Sequence, residues 1–143
     1  MTKLNVYLNF SGNAEEVLGF YKGVFGGGFS ALSRFKDMPM GGAPMRKEEQ
    51  DKIMHVALPV GNDVLMASDV PASFGRTLVQ GNSAYIAVQA DSKDEAGRIF
   101  KALAGGGQIE TPIADQPWGD YYGSLADKFG VHWMVIYTPP KKS

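Results

Sequence analysis

The chain has only two histidines, His55 and His132, and no cysteine. Each histidine lies in a run of apolar, β-branched and aromatic residues, IMHVALPV for one and VHWMVIY for the other. Asp69 closes a third such run, VLMASD. Two imidazoles and a carboxylate suit several divalent metals. A site of that kind needs His55, Asp69 and His132 to converge from separate strands, and nothing in their spacing requires it. The expectation is therefore structural: His55 packed in a strand with its ring hydrogen-bonded, Asp69 capping the turn that follows, and no metal or other cofactor. Asp127, just before Lys128-Phe129-Gly130, reads as a turn former. No serine-histidine-acid or paired-carboxylate arrangement points to hydrolysis, and no catalytic residue is assigned.

The aromatic residues gather late in the chain. Trp118, Tyr121, Tyr122 and Trp133 have the density of a small-molecule pocket, and equally of a sheet core. Trp133 alternates with His132 and Met134, so it faces the opposite way. With His132 and Met134 toward a cavity, Trp133 belongs under a helix. Trp118 follows Pro117 in a loop and is expected at a cavity rim or subunit contact. Met38, Met40 and Met45 fall in a polar, Pro- and Gly-containing stretch, 36–52. They read either as a pliable lid or docking surface or as part of an unstructured loop.

The elements that must position these residues come in two rounds. Leu4 to Phe10 alternates, with Val6, Leu8 and Phe10 on one side and Asn5, Tyr7 and Asn9 on the other. Asn13, with Glu16 three residues on, predicts a capped helix from Ala14 to Phe25, ended by Gly26-Gly27-Gly28. A strand is expected over 29–35, then a hairpin of Ile53 to Val60 and Val64 to Asp69 around Gly61-Asn62-Asp63. After 71–82 the pattern recurs. A strand runs from Ala84 to Ala90, Ser92 and Glu95 repeat the cap, and a helix from Lys93 to Ala104 ends in Gly105-Gly106-Gly107. A closing hairpin turns at Asp127-Lys128-Phe129-Gly130, and Pro139-Pro140 stops the last strand. Asn13 aligns on Ser92 without a gap. The first strands align with one residue of slip that sets Tyr7 on Tyr85, and Val64 falls on Val131. The expected fold is α+β: two repeated β-α-β-β-β modules, 1–70 and 83–140, joined by a linker, 71–82, and forming one domain. Their curved mixed sheets would enclose a cavity into which polar strand residues point, Asn5, Tyr7 and Asn9 from one module and Ser83, Tyr85 and Gln89 from the other.

Composition narrows the classes. The 143 residues carry a formal net charge of −1, with no long basic run, so nucleic acid is not an expected partner. No apolar run approaches the roughly 20 residues of a membrane span, and the N-terminus lacks the pattern of a secretory signal. Absence of cysteine excludes disulfides and thiolate chemistry. A soluble, cytoplasmic protein is expected.

Tyr7-Leu8-Asn9-Phe10 with Gly12-Asn13-Ala14-Glu15-Glu16, Phe20-Tyr21, Phe25-Gly26-Gly27, Ile53-Met54-His55, Leu65-Met66-Ala67-Ser68-Asp69, Trp118-Gly119 and Asp127-Lys128-Phe129-Gly130-Val131-His132-Trp133 together resemble the PhnB-like branch of the vicinal oxygen chelate superfamily. That superfamily includes glyoxalase I, bleomycin-resistance proteins and extradiol dioxygenases, and the branch is often labelled demethylubiquinone-methyltransferase-like. The glycine triplets close helices rather than open them, so the methyltransferase label finds no nucleotide-binding loop here. The resemblance implies paired β-α-β-β-β units. In metal-dependent members it implies a divalent ion held by His, Gln or Glu on the first and last strands of each unit, acting as a Lewis acid. The matching places here, Leu4 to Tyr7, Ser83 to Tyr85, Met66 with Ala67, and Met134, lack those residues, and a thioether is a poor ligand for a hard ion.

Three functions follow as expectations. The first is binding of an unidentified small molecule without the usual metal, through Tyr7, Asn9, His55, Asp69, Tyr85, Trp118, His132 and Met134. The second is a metal-dependent lyase, isomerase or transferase with an atypical site; whether the protein is an enzyme stays open. The third is a structural or regulatory dimer with a vestigial cavity. A homodimer is expected throughout, because open sheet edges need cover.

Overall fold

Hydrophobic periodicity sets the elements, and the computed structural model describes them over residues 2–37 and 46–140. The methionines at 38, 40 and 45 lie outside the described residues. The chain divides into two units, Met1–Val79 and Gln80–Ser143, and the division falls inside the stretch read as a linker.

In the first unit, β1 (Val6–Phe10) leads into α1 (Ala14–Phe25). Next come β2 (Ala31–Arg34), a short 3-10 turn, and the one-turn helix α2 (Lys47–Gln50). β3 (Ile53–Val60) and β4 (Asp63–Asp69) complete the sheet. Its order is β1-β4-β3-β2, with β1 parallel to β4 and the other pairs antiparallel. Ala14, Val17, Leu18, Tyr21 and Val24 form the buried stripe of α1. That stripe packs on β3 and β4, where Val56, Leu58, Leu65 and Ala67 are also buried. Alternation then leaves Tyr7, Asn9, His55, Met66 and Ser68 on the other face.

The second unit repeats the plan with β5 (Ile86–Gln89), α3 (Lys93–Ala104), β6 (Gln108–Asp115), β7 (Tyr121–Ala126) and β8 (His132–Tyr137). The order is β5-β8-β7-β6, again mixed and open. Ala96, Ile99, Phe100 and Leu103 of α3 face a core of Leu125, Trp133 and Val135. Gly123 lies beneath α3, where an added Cβ would stand 2.8 Å from both Phe100 and Ile113. Trp133 is 1% exposed, so it occupies the helix side of the sheet, as alternation predicts. His132, Met134, Tyr122 and Ser124 share the opposite face by the same alternation.

The α+β repeat and both long helices agree with the sequence reading; the register of the repeat differs. Val6, Tyr7, Leu8 and Asn9 pair with Leu65, Met66, Ala67 and Ser68. Ile86, Ala87, Val88 and Gln89 pair with Trp133, Met134, Val135 and Ile136. Matched by face, Leu65 corresponds to Trp133 rather than His132, since both are buried on the helix side of their sheets. Unequal hairpins account for the shift: β3 and β4 are joined through Gly61-Asn62, whereas five residues, 127–131, separate β7 from β8.

The two helix starts also differ. Ser92 Oγ accepts from the Glu95 N–H at 3.0 Å, and the Glu95 carboxylate accepts from the Asp91 N–H at 3.0 Å. This is a capping box displaced by one residue. Asn13 makes no side-chain cap. Its place is taken by Asp69, whose Oδ1 accepts from the N–H groups of Gly12 (3.0 Å) and Ala14 (2.9 Å).

Candidate functional site

Each unit places one histidine on its helix-free face and sets a tyrosine beside it. In the first unit Tyr7 stacks on His55, with ring centroids 6.0 Å apart and planes inclined by 29°. Tyr7 pairs with Met66, and Asn9 pairs with Ser68, whose hydroxyl donates to Asn9 Oδ1 at 3.2 Å. Tyr7 is 47% exposed. This is an aromatic and amide surface with a half-buried imidazole at its edge, suited to stacking and hydrogen bonding.

Asp69 is set apart from that surface. It is buried, and in addition to the two bonds at the start of α1 its Oδ2 accepts from the Ile53 N–H at 2.9 Å. Three backbone donors engage its two oxygens, so its carboxylate ties β3, β4 and α1 together. Asp127 does similar work in the second unit. Its Oδ1 accepts from the N–H groups of Phe129 and Val131, and its Oδ2 from the indole of Trp133.

The second unit carries the denser polar cluster. His132 opens β8, and its ring centroid lies 5.0 Å from that of Tyr85, which immediately precedes β5. The Tyr85 hydroxyl donates to Glu110 Oε1 at 2.8 Å. Glu110 Oε2 lies 3.3 Å from His132 Nδ1. Glu110 comes from β6, two strands away from β8. A break in register between Ile109 and Thr111 leaves Glu110 unpaired in the ladder. The small residues Ala126 and Ser124 of β7, paired with His132 and Met134, leave room for the carboxylate to pass above them.

The cluster is partly enclosed: the His132 side chain is 14% exposed and that of Glu110 34%. His132 Nδ1 is buried and has no aligned hydrogen bond, so its relation to Glu110 is one of charge and distance in this state. The hydrogen bond to Glu110, then burial, then the negative charge of Glu110 hold the Tyr85 phenol above its ordinary range. Tyr122 adds to the same effect. Trp118 packs edge-on against Tyr122 with centroids 5.8 Å apart and donates its indole N–H to Asp120 at 3.0 Å. At 63% exposure it forms the outer margin of this face.

Of the residues expected to bind, the structure thus brings Tyr7, Asn9 and His55 together on one sheet. It gathers Tyr85 and His132 on the other, with Met134 on the same face, and assigns Asp69 to the backbone. Glu110 went unrecognised in the sequence, where nothing within its own strand marks the contact.

The superfamily's metal does not fit the residues at the matching strand positions. The ladders put Met66 beside Tyr7 and Met134 beside Ala87. Thioether, phenol and methyl groups make a poor donor set for a hard divalent ion. Among the described residues no group of three or more His, Asp or Glu side chains gathers at metal-binding spacing.

Residues 3–135 match the model of the Glyoxalase/Bleomycin resistance protein/Dioxygenase superfamily. Protein YjdN of Escherichia coli strain K12 is 27% identical over 140 residues, 92% of each chain. Among solved structures, protein PA1353 from Pseudomonas aeruginosa is 36% identical, with a TM-score of 0.83 over 96% of this chain and 98% of its own. A PhnB protein from Bacillus cereus, at 24% identity, shares the fold with a TM-score of 0.75 over 96% of this chain and all of its own.

Proposed function

The chain belongs to the Glyoxalase/Bleomycin resistance protein/Dioxygenase superfamily, and on that premise we propose that it binds a small organic molecule without the superfamily's usual metal. The observation that carries this reading is the Tyr85–Glu110–His132 cluster. It combines apolar ring surface with a carboxylate and an imidazole in a half-enclosed setting, which is the makeup of an orienting site. Met134 and Trp118 extend its apolar part, and Tyr7, Asn9 and His55 supply a second, simpler face. Asp69 is outside the proposed set.

A thermal-shift screen of small aromatic acids, phenols and amines tests the proposal, followed by titration of each hit against tryptophan emission. Tyr85→Ala is expected to weaken binding by about tenfold or more, the loss of one ring contact and one hydrogen bond. Affinities unchanged in both Tyr7→Ala and Tyr85→Ala would place binding elsewhere.

The same reading includes a cytoplasmic homodimer. Both sheets are open, and Leu4, Val79 and Ile109 are exposed apolar residues that a partner copy would cover. Among the described residues no helix is long and apolar enough to cross a membrane. Light scattering at micromolar concentration checks the dimer, since a mass near the 15.4 kDa of one chain refutes it.

A further inference from the structure

We propose that Glu110 is a positioning residue for His132. It holds the imidazole in the tautomer protonated at Nδ1, and so leaves Nε2 as the proton acceptor for a ligand that carries an acidic O–H or N–H. The inference rests on the small-molecule reading above and specifies its chemistry.

The geometry constrains the ring. Glu110 Oε2 lies 3.3 Å from Nδ1, and Nδ1 is enclosed with no other partner. A bare Nδ1 lone pair would face a carboxylate lone pair out of reach of water, a repulsive arrangement that burial makes costly. A protonated Nδ1 faces an acceptor instead. The tautomer of a histidine follows from what its other nitrogen meets. The separation is longer than an aligned hydrogen bond, as is common for acid–base pairs before a ligand tightens them.

The carboxylate is itself held. Tyr85 donates to Oε1 at 2.8 Å, which directs Oε2 toward the ring. Glu110 follows Ile109, whose partner Leu125 is buried on the helix side of the sheet, so alternation turns Glu110 to the helix-free face that carries His132. With the proton on Nδ1, Nε2 carries the lone pair of the ring. A ligand O–H or N–H donates a hydrogen bond there. On full transfer the proton moves to Nε2, the ligand keeps the bonding electron pair as an anion, and the imidazolium forms its ion pair with Glu110.

Nitrogen-15 NMR of the imidazoles tests this directly, since the chain has only two histidines. The His132→Gln spectrum identifies which ring signals belong to His132. At alkaline pH the wild-type ring is expected to carry its proton on Nδ1, and Glu110→Gln is expected to shift the ring toward the Nε2-protonated form. Addition of phenol, an O–H probe that stays protonated at mildly alkaline pH, should move the Nε2 resonance, with about tenfold weaker binding in Glu110→Gln. A wild-type ring protonated at Nε2, or a tautomer unaltered in both Glu110→Gln and Glu110→Ala, overturns the positioning role. An Nε2 resonance unmoved by the probe overturns its role as acceptor. The small-molecule reading fails separately, if no compound in the thermal-shift screen stabilises the fold.

Discussion

The indole N–H of Trp133 donates to Asp127 Oδ2 at 2.9 Å, and both residues are buried. The other oxygen of Asp127 accepts from the N–H groups of Phe129 (2.9 Å) and Val131 (3.1 Å). One carboxylate thereby shapes the turn before β8 and satisfies the largest side chain in the core of the second unit. Its removal strands buried donors rather than merely deleting bonds. Asp127→Ala is expected to cost about 3 kcal/mol or more. Asp127→Asn should also destabilise, because an amide that accepts from the backbone turns its NH2 toward the indole N–H. Urea unfolding followed by tryptophan emission measures both, and wild-type midpoints for the pair would refute the role.

Asp69 supports a parallel argument in the first unit. Its oxygens accept from Gly12, Ala14 and Ile53. Asn can replace one oxygen, but its NH2 then opposes a backbone N–H. We expect Asp69→Asn to lose about 2–3 kcal/mol, with faster hydrogen exchange at the Ala14 and Ile53 amides. Unchanged stability together with lost ligand binding would instead make Asp69 a binding residue.

The helix starts give a paired prediction. Ser92 caps α3, so Ser92→Ala should cost about 1 kcal/mol. Asn13 makes no side-chain cap, because Asp69 serves α1 in its place. Asn13→Ala should therefore stay within about 0.5 kcal/mol of wild type. Equal losses in the two variants, measured by the same unfolding assay, would mean that the sequence symmetry of the caps is also an energetic symmetry.

These caps show what sequence can and cannot convey. Both helices are legible because periodicity, a polar start and a glycine stop all lie within a few neighbouring residues. Asp69 is not legible as a cap because its partner at Ala14 is 55 positions away and is a backbone N–H, which has no residue type to read. The faces of Tyr7, His132, Met134 and Trp133 follow from a period of two, and that survives an error in aligning the repeats. The alignment itself went wrong because matching residue types hid the unequal hairpins. Glu110 was missed for the same reason as Asp69: its partner Tyr85 lies 25 positions away, and nothing within its own strand marks the contact.

Tyr85 provides a prediction that depends on pH. Its hydrogen bond to Glu110, then burial, then the charge of Glu110 raise the phenol above its ordinary value, near 10 for an unperturbed tyrosine. A raised value in the folded state means that folding favours the neutral phenol. Its contribution to stability is therefore complete below the unfolded value and is lost as pH rises through the folded one. The difference in tyrosinate absorbance between wild type and Tyr85→Phe isolates this residue from the other tyrosines. Its midpoint should lie above the ordinary range and should fall in Glu110→Gln, which removes the charge. Urea unfolding should show a constant stability gap between wild type and Tyr85→Phe up to a pH of about 10, narrowing beyond it. An ordinary midpoint in wild type, or one that Glu110→Gln leaves in place, would separate Tyr85 from Glu110 and dissolve the cluster on which the proposed site depends.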